Sequence, residues 1–423
     1  MWGPVEIRTW SARRRSGIGS VKGSVSSIIE DVRKRGDTAV AELTGRFDKI
    51  RLDSFAVSED EIEAAYDQVD TRILESLIEA EARITRFHEM QIPKSLWLEE
   101  VEPGVSLGVK TTPLERIGAY VPGGRAAYPS TALMCTVPAR VAGVDEICCC
   151  SPPPIHPLTL VALDTAGVSE IYRIGGAQAI AAMALGTESV RKVQKIVGPG
   201  NLYVTAAKML LRDEAEIDFP AGPSEIGILA DKTGQPDYIA ADILAQAEHD
   251  PNAACILITD DKDLPAKVGK YIDGMAASAP RREIILESLK NCGYVVTPDM
   301  DDAVVAMNEI APEHLSIQVS DPLEILGKVR NAGAIFVGKY AAVAFGDYAS
   351  GTNHVLPTAG YSGIYSGLDV MHFCKTSSVQ IIGKEGLDTL GDITEILAEE
   401  EGLAAHAASV RIRRVGTTGK KHP

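Results

Sequence analysis

From residue 117 onward the chain alternates β-strand and α-helix so regularly that few architectures can accommodate it. Strand patterns fall at 117–121, 146–150, 170–174 and 195–198, with helical patterns over 131–141, 158–166 and 201–211 and one opened by Gly175-Gly-Ala-Gln178. Four consecutive βα units predict a parallel sheet with helices on both faces. The pattern restarts at Glu225, with strands expected over 226–230, 255–259, 294–296, 315–318 and 334–337. The two halves share this architecture but not their residues.

The flanks differ. Residues 20–100 read as helical throughout, with the 28–36 segment ending on a glycine stop and no strand pattern before Val105. After about residue 348 the chain becomes rich in Gly and Ser and closes in strands and a helical tail. The expected organisation is therefore α/β. It has a helical region at 1–104 packing with the second α/β lobe, Rossmann-like domains at 105–224 and 225–347, and a loop and tail region at 348–423. Neither sheet domain carries GxGxxG, so a common dinucleotide fold does not follow from motif.

Composition narrows the class of partner. Acidic residues outnumber basic ones 58 to 42, a formal charge of −16, which argues against a nucleic-acid backbone or an anionic membrane. A small anionic cofactor needs only local donors and stays compatible. Seven cysteines include the run Cys148–Cys150 but no CxxC pair, the pattern of apolar filling in a reduced core. No apolar run reaches the ~18 residues of a membrane span. Arg13-Arg-Arg15 among serines faintly resembles a transit peptide but lacks the apolar segment of a secretory signal. Cytoplasm is the expected location.

In open α/β sheets ligands bind at the carboxyl ends of strands. Glycine clusters stand there in the first unit: Tyr120-Val-Pro-Gly-Gly124, Gly175-Gly-Ala-Gln178 and Val197-Gly-Pro-Gly-Asn201. Three in succession suggest a ligand crevice, because glycine admits close backbone approach and a helix N-terminus favours phosphate. Farther on, Glu313 and His314 are adjacent, and a carboxylate beside an imidazole suits two different proton-transfer tasks. Gln246 and His249 share one face of a helix over 236–250. With Asp347 and His406 they are side chains able to bind a borderline metal such as zinc. Glu401 and His406, five positions apart, point about 140° from each other if helical, so they could line one site only at an element's end or from a neighbouring chain.

Along nearly its whole length the chain resembles the histidinol dehydrogenase family. The stretches above carry the resemblance, with Pro220-Ala-Gly-Pro-Ser-Glu225, Ala311-Pro-Glu-His-Leu315 and Gly346-Asp-Tyr-Ala-Ser-Gly-Thr-Asn-His354; the first 20 residues match poorly. The resemblance implies zinc ligands at Gln246, His249, Asp347 and His406, one Zn2+ per subunit, and proton transfer by Glu313 and His314. It implies substrate contacts at Ser224, His314, His354 and Glu401 together with the metal ligands, and NAD+ contacts at Tyr120, Gln178 and Asn201. The implied activity is oxidation of L-histidinol to L-histidine, in a homodimer whose tails complete each other's sites. Rival readings are a relative acting on another small primary alcohol such as a sulfonated diol, a non-enzymatic binding module, and a zinc hydrolase.

Overall fold

The structure, a computed structural model, describes residues 2–14, 17–123 and 127–416. Gly124 of the first glycine cluster and Arg15 of the basic run lie outside the described residues. The chain forms two compact units, Met1–Gln91 with Leu114–Phe373, and Ile92–Pro113 with Cys374–Pro423.

The first unit holds both parallel sheets. One is built from β1 (Arg116–Tyr120), β2 (Glu146–Cys150), β3 (Glu170–Tyr172), β4 (Lys195–Val197) and β5 (Glu216–Ile217) in the order β3-β2-β1-β4-β5. The other uses β6 (Glu225–Ala230), β7 (Ala254–Thr259), β8 (Gly293–Val296), β9 (His314–Gln318) and β10 (Ala334–Val337) in the order β8-β7-β6-β9-β10. Each sheet thus starts at its centre, runs to one edge, then returns to fill the other side. Only β5, two residues long, escapes the sequence pattern. Helices cover both faces, so the strands are apolar on both sides and do not alternate. The cysteine run shows this directly: Cys148 and Cys150 face the core under the helix Gly176–Leu185, and Cys149 faces the core under Pro129–Ala142. All three are free thiols.

The N-terminal helices pack differently from expectation. Ile18–Arg35 presents Val21, Val25, Ile28, Ile29 and Val32, one buried stripe, to the helices Gly176–Leu185 and Leu202–Leu210 of the first sheet. Thr71–Glu89 packs on Pro129–Ala142, and Glu59–Tyr66 on Pro157–Thr165. It is the first few residues that reach the second sheet: Trp2 Nε1 donates to Pro265 O at 3.0 Å and Trp10 Nε1 to Asn291 O at 2.8 Å. The apolar stripes are legible in sequence, but which sheet they cover is not.

The second unit is a three-stranded antiparallel sheet in which Val105–Pro113 lies between Leu96–Glu102 and Cys374–Ile382, with the helices Lys384–Glu400 and Ala404–Gly416. The strand at Leu96–Glu102 was not expected before Val105. All its residues but the last are exposed within the chain, so no buried face imposes the alternation by which strands are read. Residues 348–373 belong to the first unit, not to the tail. Among the described residues no helix is long and apolar enough to cross a membrane.

Candidate active site

The first sheet offers its carboxyl ends at the point where strand order reverses, between β1 and β4. Tyr120 closes β1, almost wholly buried, and its Oη accepts the Gly176 N–H at 3.0 Å. Gly198 follows β4 with φ +109°, and a Cβ added there would meet the Tyr120 carbonyl at 2.2 Å. Below it, buried Lys208 donates from Nζ to Gly198 O at 3.0 Å and pairs with buried Asp218, whose Oδ2 accepts the Gly198 N–H at 2.8 Å. Asn201 Oδ1 accepts the N–H groups of Tyr203 and Val204, capping the helix Leu202–Leu210. Gln178, buried nearby, has no hydrogen-bond partner at Oε1.

The second sheet contributes its other edge. Here the site residues stand at amino ends: Ser224 immediately precedes β6, Glu313 precedes β9, and His314 is the first residue of β9. Gln246 and His249 sit where Pro236–Ala247 ends, and Asp347 lies on the short helix Val343–Tyr348. The cleft therefore joins the carboxyl ends of one sheet to the amino ends of the other. Sequence periodicity marks strands without fixing which end of a second sheet will face a cleft.

Within this wall Glu313 and His314 are both buried. Glu313 Oε2 accepts the Glu225 N–H at 2.7 Å and lies 3.5 Å from His314 Nδ1. That Nδ1 is 3.1 Å from the Glu225 carbonyl, to which it can only donate, so the proton sits on Nδ1 and Nε2 keeps its lone pair in the neutral ring. Nε2 has no hydrogen-bond partner and stands 3.7 Å from Asp347 Oδ1. Burial pulls the His314 pKa down, but the Glu313 carboxylate, Asp347 and the Glu225 carbonyl outweigh it and raise it to about 9. His354 bridges the halves: Nδ1 lies 2.9 Å from Asp347 O and Nε2 3.3 Å from Thr131 Oγ1. Burial lowers its pKa. Ala311, which ends the helix Met300–Ile310 ahead of this pair, has φ +49°, a strain of about 1–3 kcal/mol for a side chain other than glycine.

One cleft of about 2630 Å³ is lined by Tyr120, Gln178, Asn201, Ser224, Gln246, His249, Glu313, His314, Asp347 and His354. Glu401 and His406 belong to the second unit, Glu401 just after Lys384–Glu400 and His406 within Ala404–Gly416, both exposed. Among the described residues no three His, Cys, Asp or Glu side chains gather as a metal site. The expected set escapes that description because Gln246 supplies an amide and His406 lies in the other unit. The donors present do fit a divalent cation. Gln246 is buried with its amide nitrogen unpartnered, and turning the amide over would offer its oxygen there instead; Asp347 is a carboxylate only 16% exposed, and the charge that raises His314 is an excess of carboxylate facing the cleft. Sequence reasoning missed Glu225, Arg14, Thr131 and the Lys208–Asp218 pair, whose roles rest on burial and long-range hydrogen bonds. Glu225 stood within a quoted motif, next to Ser224, and Arg14 within the basic run Arg13–Arg15.

The chain matches the family model described as histidinol dehydrogenase over residues 11–414. It is 51% identical to the histidinol dehydrogenase of Methanosarcina barkeri over 404 residues, 95% of this chain and 93% of that one. It is 52% identical to that of Methanothermobacter thermautotrophicus over 406 residues, 95% of each. The crystal structure of histidinol dehydrogenase from Elizabethkingia anophelis superposes with a TM-score of 0.92 at 35% identity, covering 99% of this chain and 95% of that one.

Proposed function

The chain belongs to the histidinol dehydrogenase family, and on that premise we propose that it oxidises L-histidinol to L-histidine with two NAD+ through bound L-histidinal, the last steps of histidine biosynthesis. The observation that carries the reading is the Glu313–His314 pair, with an unpaired Nε2 on a cleft that also takes in the carboxyl-end loops of the first sheet.

Gln246, His249 and Asp347, with His406 from a tail, would hold Zn2+, and Tyr120, Gln178 and Asn201 would line the NAD+ site. Bound zinc supplies a Lewis acid that orients the amino group and imidazole of the substrate, while NAD+ accepts hydride. Ser224, His354 and Glu401 complete the substrate's surroundings. His314 takes the hydroxyl proton on Nε2 as hydride leaves the carbinol carbon, which yields the aldehyde. Glu313 then removes a proton from water as its oxygen adds to the aldehyde carbon, and His314 gives its proton to the former carbonyl oxygen, which leaves the hydrate and a neutral imidazole. His314 takes the hydrate's hydroxyl proton as the second hydride leaves, and the acid ionises. The balance is one alcohol, one water and two NAD+ giving one carboxylate, two NADH and three protons. Glu225 O fixes the His314 tautomer for both oxidations.

We read the molecule as a homodimer in which the tail of one chain completes the site of the other. Trp97, Ile396, Leu397 and Ile412 of the second unit, 45% to 70% exposed, are the kind of apolar surface a second copy covers. The deciding test is NADH formed per L-histidinol consumed by zinc-loaded protein in excess NAD+. Two NADH with histidine as product is the expected result. No NADH would move the assignment to another small primary alcohol.

A further inference from the structure

Glu225 grips the proton-transfer pair through its backbone. Its N–H donates to Glu313 Oε2 at 2.7 Å and its carbonyl accepts from His314 Nδ1 at 3.1 Å. The carboxylate of the same residue is held in turn. Its Oε1 accepts from the Glu313 N–H at 3.3 Å, the Ala359 N–H at 3.1 Å and Arg14 Nη1 at 2.6 Å. Arg14 Nη2 donates to Ile310 O at 3.0 Å, at the end of the helix before the Ala311 bend. The guanidinium lies 4.4 Å from the Trp10 ring centre. With side chains 6% and 1% exposed, Arg14 and Glu225 form an ion pair shielded from water. One guanidinium thus fixes both the residue that grips Glu313 and His314 and the carbonyl that opens the loop carrying them.

We infer that Arg14 is a positioning residue for the dehydrogenation, acting through Glu225 and Ile310 to orient Glu313 and the His314 ring. This rests on the reading that Glu313 and His314 transfer the protons. Burial favours the neutral form of Glu225, and Arg14 opposes it. Without the guanidinium the carboxylate takes up a proton or turns toward water, and the Glu313 N–H loses its acceptor. Both ends of the cradle then shift. A displacement of about 1 Å at a reacting group costs on the order of 10²-fold in rate.

The test compares kcat and KM for L-histidinol and NAD+ in the zinc-loaded full chain, alongside thermal melting, for wild type, Arg14→Gln, Arg14→Lys and Arg14→Gln with Glu225→Gln. The double variant leaves no lone buried charge and is therefore the variant that keeps its fold. Arg14→Gln is expected to lower kcat about 10- to 100-fold with both KM values within about threefold of wild type. Arg14→Lys recovers most of the loss, and the folded double variant stays slow. A folded double variant with wild-type kcat, or a loss carried by KM alone, overturns the inference. Independently of turnover, the 15N shifts of His314, recorded above pH about 9 where the ring is neutral and assigned with His314→Gln, report its tautomer. Nδ1–H held in wild type and averaged in Arg14→Gln supports the role, and identical shifts overturn it. A wild type inert toward L-histidinol refutes the substrate reading alone, because the nitrogen shifts still decide the part played by Arg14.

Discussion

Gly198 shows how one backbone position shapes a binding surface. With φ at +109° and the Tyr120 carbonyl standing where a Cβ would have to go, the position leaves no room for a side chain. Lys208 and Asp218 hold both its carbonyl and its N–H from below. Gly198→Ala must move this loop at a cost of about 1–3 kcal/mol. We expect the KM for NAD+ to rise about tenfold or more while the KM for L-histidinol changes little; steady-state titration of each substrate separates the two. The carboxylate of Glu313 makes a second case. Because only hydration of the aldehyde needs water activated, Glu313→Gln should slow oxidation of L-histidinal about 10²-fold or more and the alcohol step less. Single-turnover rates with each substrate check this, and equal losses would end the division of labour.

At the scale of elements, the amino ends of the first sheet are stitched by charge. Arg116 on β1 donates to Glu146 on β2 at 2.7 Å and to Glu170 on β3 at 2.6 Å, and Tyr172 Oη adds a second bond to Glu170 at 2.6 Å. Burial would raise the Glu170 carboxyl, but Arg116, Tyr172 and Arg191 together lower it from 4.5 to about 2. A carboxyl lowered on folding stabilises the native state above its unfolded pKa and loses that contribution as pH falls through the folded one. The melting temperature of wild type should therefore exceed that of Glu170→Gln at neutral pH. The gap should shrink as pH falls from 4.5 toward 2. A difference that does not depend on pH would show the group acting through packing alone.

In the proposed dimer Glu401 and His406, both in the second unit, are supplied by the tail of the other chain. Chain exchange between two inactive variants tests the proposed dimer. One variant carries His406→Asn and an intact first unit; the other carries His249→Asn and an intact tail. If tails serve the partner, dimers refolded from an equal mixture contain one good site in half of the molecules, about a quarter of wild-type activity by symmetry. If each tail serves its own chain, the mixture stays as inactive as its parents. Zinc content should follow the same ratio.

Much of this protein is legible before any tertiary contact is known. The alternation of strand and helix over 117–337 specifies two parallel sheets, because period and length are local properties of the chain. The stretches around Tyr120, Asn201, Ser224, Glu313 and His354 mark the cleft walls by their chemistry. Tertiary structure alone decided that Glu313 and His314 stand at the amino edge of their sheet, facing the carboxyl edge of the other. It also paired Val105–Pro113 with Cys374–Ile382 and brought Arg14 to Glu225, 211 positions away. Such contacts leave no periodic trace in the segments that make them; they arise when packed elements bring buried charges together and each needs a partner.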